Sequence, residues 1–155
     1  MADSDRRELT FANLNEVVAD IEAIANSAHR TSGKQTFAQI VQHLATTNEM
    51  LVGKIVPPKL PWYMRMMMPL MRNKILDGPV KPGFKLPSAD LQSFFWDGDD
   101  TDLQQAIDNF KASVKAYYVQ GPLDKHPIFG KASREQIDRI TLAHAAMHLS
   151  FVHPE

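Results

Sequence analysis

Two histidines set four residues apart, His144 and His148, stand in the segment IDRITLAHAAMHLSF that runs from Ile137 to Phe151. On a helix of 3.6 residues per turn they share one face with Ile137, Ile140, Thr141, Met147 and Phe151. Two imidazoles therefore sit inside an otherwise core-facing stripe. Burying a polar ring without a partner is costly, so the pair needs something to bind. His at i and i+4 on one helical face is a metal-ligand spacing, and a divalent ion is the candidate it points to. The competing reading satisfies the two rings with each other, with backbone carbonyls or with Thr141.

A third ligand has to come from another element. His43 is the best placed, because it lies within a helical pattern rather than in a loop. By the usual turn of roughly 100° per residue it sits about 110° from the centre of its helix's apolar stripe, a shoulder from which it reaches a neighbouring helix or solvent. His29 at a helix end, His126 before a proline and His153 in the C-terminal tail read as exposed or locally hydrogen-bonded. Absence of cysteine removes disulfides, thiolate ligands and a thiol nucleophile, so any ion here has nitrogen and oxygen ligands. Three neutral imidazoles leave positions open for water or substrate, as catalytic sites do. Imidazole serves zinc, nickel, iron(II) and manganese, so the pattern names no single metal.

Several known chemistries are disfavoured. The helix reads HAAMH, without the glutamate that zinc peptidases place between their histidines, and no Glu-x-x-His of the di-iron carboxylate proteins occurs. The acidic run Asp97, Asp99, Asp100, Asp102 lacks the later glutamate of a calcium loop and reads as a solvated turn with helix N-terminal charge. Glu49, Asp138 and Arg139 read as solvated helix charges, and Tyr117, Tyr118, Trp62 and Trp96 read first as core or rim packing and second as the lining of a pocket. No catalytic residue beyond the metal ligands is assigned.

The elements that must position these histidines follow from periodicity and punctuation. Helix one spans Asn13 to His29, with Leu14, Val17, Val18, Ile21, Ile24, Ala25 and Ala28 at helical spacing and a capping box from Asn13 to Glu16. Helix two runs from Thr36, with Gln39 in capping register, to about Lys54, burying Phe37, Ile40, Val41, Leu44 and Leu51. From Ile55 to Gly98 seven prolines punctuate a long connection holding one short helix, about Trp62 to Lys74, and an extended crossing, PVKPGFKLPSAD. Its methionines Met64, Met66, Met67, Met68 and Met71 read first as packing over the bundle end, second as an adaptable binding surface. Helix three starts at Asp100 or Thr101, with Gln104 in capping register, and stops at Gly121-Pro122; helix four is capped by Ser133 and Gln136. The expected fold is all-α: one domain over 1–155, a four-helix bundle with a long crossover between helices two and three.

Composition narrows the partners. The chain has 155 residues, 23% of them charged, and a net charge of −1, so there is no overall excess of charge to draw it to nucleic acid or to an anionic membrane. No stretch reaches the roughly 18 apolar residues of a membrane span, and MADSDRRELTF lacks a signal peptide's apolar run. A cytoplasmic location is expected.

FAQIVQHLATTNEM on helix two and HAAMHLSF on helix four resemble the DinB and YfiT-like superfamily of metal-binding four-helix bundles. The wider order, RRELTFANLNEVVADIE, KPGFKLP and HPIFGKASREQIDRITLAHAAMHLSFVHP, is similar to one branch of that superfamily whose function is unknown. The resemblance covers nearly the whole chain. It implies a three-histidine divalent-metal site on His43, His144 and His148. Members with assigned activity include metal-dependent transferases and isomerases that use low-molecular-weight thiols, and several are homodimers. The function expected is thus metal binding with a transferase activity on a small molecule. The alternative is a non-catalytic ligand- or partner-binding bundle, for which the Met-rich connection speaks, as do Leu142 and Leu149, which either pack under the long connection or form a dimer seam.

Overall fold

The computed structural model describes residues 5–96 and 101–155. Helix α1, Leu14–Ala25, starts where the Asn13 side chain accepts from the Glu16 amide, and the Glu16 carboxylate accepts from Ala12 N–H. It stops short of His29. The Ser27 amide and hydroxyl both bond back to the Ile24 carbonyl, which turns the chain out of the helix. His29–Thr31 is instead strand β1.

Helix α2, Phe37–Leu51, has the full capping box between Thr36 and Gln39 and ends just before Gly53, whose positive φ only glycine adopts without strain. Helix α3, Trp62–Asp77, runs three residues past Lys74 with Pro69 inside it. The crossing that follows is extended only in part, because Ala89–Trp96 forms a further helix, α4. Ser88 Oγ accepts from Leu91 N–H at its start.

Helix α5, Leu103–Gln120, is capped by Asp102, which accepts from Gln105 rather than from Gln104. The other acids of that run, Asp97, Asp99 and Asp100, lie outside the described residues. Lys125–His126 and Gly130–Lys131 form strands β2 and β3, an antiparallel hairpin. Helix α6, Arg134–Leu149, carries the second full capping box, Ser133 with Gln136. Val152–Pro154 is strand β4, paired antiparallel with β1 so that Thr31 faces Val152. The chain is thus mostly helical, with six helices and two small ribbons among the described residues.

Helices α2 and α5 form the most extensive pairing, and α1 and α6 pack against them. Phe110, Ile21, Val41, Leu51 and Leu149 are fully buried, and each large apolar side chain so removed from water contributes roughly 1.5–3 kcal/mol. A buried polar chain crosses the α2–α5 contact: Asn48 Nδ2 donates to Ser113 Oγ at 3.1 Å, which donates to the Phe110 carbonyl. Leu149 lies in this core, while Leu142 packs against it and is only partly buried.

Two arginines fix helix ends near the histidines. Arg7 holds both carboxylate oxygens of Asp20 at 2.9 and 2.8 Å and donates to the Leu149 carbonyl, tying α1 to the C-terminal end of α6. Arg139 on α6 donates to the carbonyls of Leu76 and Gly78. A cation on a helix's final carbonyls is well placed for the helix dipole, and this one docks α3 onto α6.

Candidate metal centre

His43 projects from α2, and His144 and His148 from α6, and these two helices are in contact. His43 is buried, while His144 and His148 keep part of their surface open. The structure brings the three together: one ring nitrogen from each lies within 4.8 Å of the others. His144 Nε2 is 3.1 Å from His43 Nε2 and 3.1 Å from His148 Nε2. Two nitrogens each about 2.1 Å from one ion would be roughly 3.0 Å apart at a right angle and roughly 3.4 Å apart at the tetrahedral angle. The two separations from His144 fall in that interval.

The protons on these rings can be placed by elimination. His43 Nδ1 is 3.0 Å from the Phe95 carbonyl, which can only accept, so Nδ1 carries the proton and Nε2 a lone pair. If His144 Nε2 carries a proton for His43, it has no lone pair for His148. If it offers a lone pair to His148, it faces the lone pair of His43. With neutral rings, no placement of protons gives both 3.1 Å contacts a well-aligned hydrogen bond. One cation would satisfy all three nitrogens at once.

The rings are indeed neutral at pH 7. Burial pushes His43 down to about 3, with a further push from His144 that outweighs the Phe95 carbonyl. Burial likewise lowers His144 to about 4, and burial followed by repulsion from His144 and His43 drives His148 lower still. Low basicity removes proton competition for an incoming ion.

Around this donor set the walls are aromatic. Trp96 lies flat on His43, ring centroids 3.9 Å apart and 6° from parallel, and meets His148 edge-on at 5.3 Å. Phe95 meets His43 edge-on as well. No carboxylate joins the three-histidine group among the described residues. The residues present fit a divalent metal.

The family model for proteins of unknown function designated DUF1569 matches residues 3–155. The chain belongs to the DUF1569 family. No curated protein and no solved structure matches it. In this DUF1569 chain the three histidines form a donor group that could hold a metal ion.

The remaining histidines are not members of the three-histidine group. His29 Nδ1 bonds to the Ser27 carbonyl, and His153 Nε2 to Ser32 and the Asp5 carbonyl. His126 is locally bonded too, its Nδ1 accepting from the amides of Ile128 and Phe129, but it is buried rather than exposed.

Other residues depart from their sequence reading. Asp138 accepts from Tyr117 and from Arg134, and burial, then this bond, raises the Tyr117 phenol. Arg139 holds α3, so neither Asp138 nor Arg139 is a merely solvated charge. Of the four large aromatics considered for a pocket, Trp96 is the one at the site. Sequence reasoning missed its role because α4 was not foreseen, although Ser88 and Asp90 ahead of LQSFFW are a helix-start signal.

Proposed function

We propose that His43, His144 and His148 bind a divalent metal ion, and that the bound ion serves the transfer of a low-molecular-weight thiol to a small electrophilic substrate. The observation that carries the metal reading is the convergence of three Nε2 atoms whose contacts no set of ring protons can satisfy. The resemblance of the His43 and His144–His148 segments to the DinB and YfiT-like bundles supports it, and supports the thiol chemistry. A divalent ion with open positions supplies Lewis acidity, which lowers the pKa of a thiol and holds it as the stronger nucleophile.

The chain's own residues have definite tasks in this reading. Phe95 fixes the His43 tautomer through its carbonyl, and Trp96 shields that ring from water. Substrate approaches on the side where His144 and His148 retain exposed surface. In the transfer the thiol gives its proton to solvent, sulfur bonds to the electrophilic carbon, and the leaving group departs with the bonding pair.

The test is metal content by mass spectrometry on untagged protein and on the His144→Ala and His148→Ala variants. Near-stoichiometric metal that both variants lose is the expected result and justifies screening thiols with electrophiles. Folded protein that arrives metal-free and takes up no zinc, nickel, manganese or iron(II) overturns the reading. The non-catalytic binding bundle would then lead, favoured by the exposed apolar stripe of α3.

A further inference from the structure

Helix α3 is docked by one side only. Met64, Met68 and Ile75 are half-buried and Leu76 is buried, whereas the opposite side points away from the protein. On that outer side Trp62, Met66 and Leu70 follow one another at i, i+4 and i+8 and are 72%, 70% and 88% exposed. At roughly 100° per residue they fall on one stripe, with Tyr63 beside it. Of the five methionines expected to pack over the bundle end, Met66, Met67 and Met71 are exposed. A contiguous apolar stripe in water is costly to leave uncovered, and on soluble chains it marks an interaction surface.

The charges around the stripe say what covers it. Between Pro57 and Ser88 the chain carries six cations, Lys59, Arg65, Arg72, Lys74, Lys81 and Lys85, against the one acid Asp77. That is a net +5 within a chain whose total is −1, leaving −6 on the remainder. All but Arg72 are exposed, and those five make no ion pair among the described residues. Arg65 and Lys74 flank the stripe on its two sides. The whole-chain balance, which argues against anionic lipid, averages over this division.

We infer that the outer face of α3 docks on the surface of an anionic phospholipid bilayer. Trp62 and Tyr63 would sit at headgroup level, Met66 and Leu70 would enter the acyl boundary, and Arg65 and Lys74 would pair with lipid phosphates and carboxylates. The helix lies in the interface plane; no helix among the described residues is long and apolar enough to cross a membrane. A second copy of the chain is a poorer occupant, because a two-fold contact sets the patch against itself and cations against cations. Nucleic acid would engage the cations but leave Met66 and Leu70 in water.

Vesicle flotation of the full chain tests this, with phosphatidylcholine vesicles with and without added phosphatidylserine. Binding is expected on the phosphatidylserine vesicles alone, falling with salt and accompanied by a blue shift of emission that Trp62→Phe abolishes. Each cation near an anionic surface counts for roughly fivefold in partition, so Arg65→Ser with Lys74→Ser should weaken binding roughly 30-fold. Met66→Ser with Leu70→Ser should weaken it without removing the salt dependence. These side chains are on the surface, and circular dichroism verifies that the variants fold. No flotation, equal flotation on both vesicles, or flotation indifferent to both double variants overturns the proposal. So does a Leu70-dependent dimer, or a Lys74-dependent complex with an oligonucleotide, in protein that does not float.

Discussion

The indole of Trp96 is stacked on the imidazole of His43, with ring centroids 3.9 Å apart and planes 6° from parallel. An ion at His43 Nε2 would therefore lie within a few ångströms of an indole that also touches His148. Trp96 and Trp62 are the two tryptophans of the chain, and Trp62→Phe leaves Trp96 as the sole indole emitter. In that variant nickel or cobalt(II) should quench most of the emission, saturating at one ion per chain. Adding His43→Ala should abolish the quenching. Emission unchanged under saturating nickel would mean that no ion binds beside Trp96.

Metal binding to the native state alone should also raise stability. At a free ion concentration 100-fold above the dissociation constant the gain is about 2.7 kcal/mol, which for a chain of this size is about 5–10 °C in Tm. Chelation followed by zinc addition, monitored by thermal melts, measures it. His144→Ala should melt at one temperature with and without zinc. A wild-type Tm that ignores the ion would argue against a site built by folding.

What could be anticipated from the sequence is what is local. The pairing of His144 with His148 follows from helical periodicity, and the capping boxes Thr36–Gln39 and Ser133–Gln136 are four-residue signals that formed as written. His43 was harder, because from its shoulder position the direction of the ring depends on which element lies alongside. That element is α4, whose Phe95 carbonyl and Trp96 ring hold it inward. Strands of two and three residues, such as β2 and β1, are too short for any alternation to show. The exposed side of α3 was misjudged because five methionines in one stretch resemble core, and only the tertiary arrangement shows that most of them face away from it.

Arg139 should be worth more than a surface charge. Its guanidinium donates to the carbonyls of Leu76 and Gly78 at the end of α3, and hydrogen bonds to a charged donor contribute about 1.5–3 kcal/mol where solvent is excluded. With Gly78 O exposed, a loss of about 1–2 kcal/mol is expected for Arg139→Ala. Urea unfolding gives the total, and amide exchange locates it. Protection should fall in 62–77 and hold in α2 and α5; uniform loss across the chain would show that α3 is not separately anchored.

His126 should make stability depend on pH. Its Nδ1 accepts from two amides, at 3.1 Å from Ile128 N and 3.2 Å from Phe129 N, so the ring is neutral with its proton on Nε2, and protonating Nδ1 would break both bonds. Burial first, and then the repulsion between its protonated form and a protonated His144, lower it from 6.5 to about 4. Between those values the unfolded chain takes up a proton that the native chain refuses, so stability is complete above pH 6.5 and falls as pH drops toward 4. The slope from this one group is up to about 1.4 kcal/mol per pH unit. In metal-stripped protein, urea unfolding between pH 7 and pH 5 should show this fall, and His126→Gln, whose amide oxygen can accept from the same amides, should remove that share of it. The histidine cluster will keep its own part of the slope, because those rings also gain protons on unfolding. Identical slopes for wild type and variant would mean that His126 already titrates normally in the native state, and that the two amide bonds do not hold its tautomer.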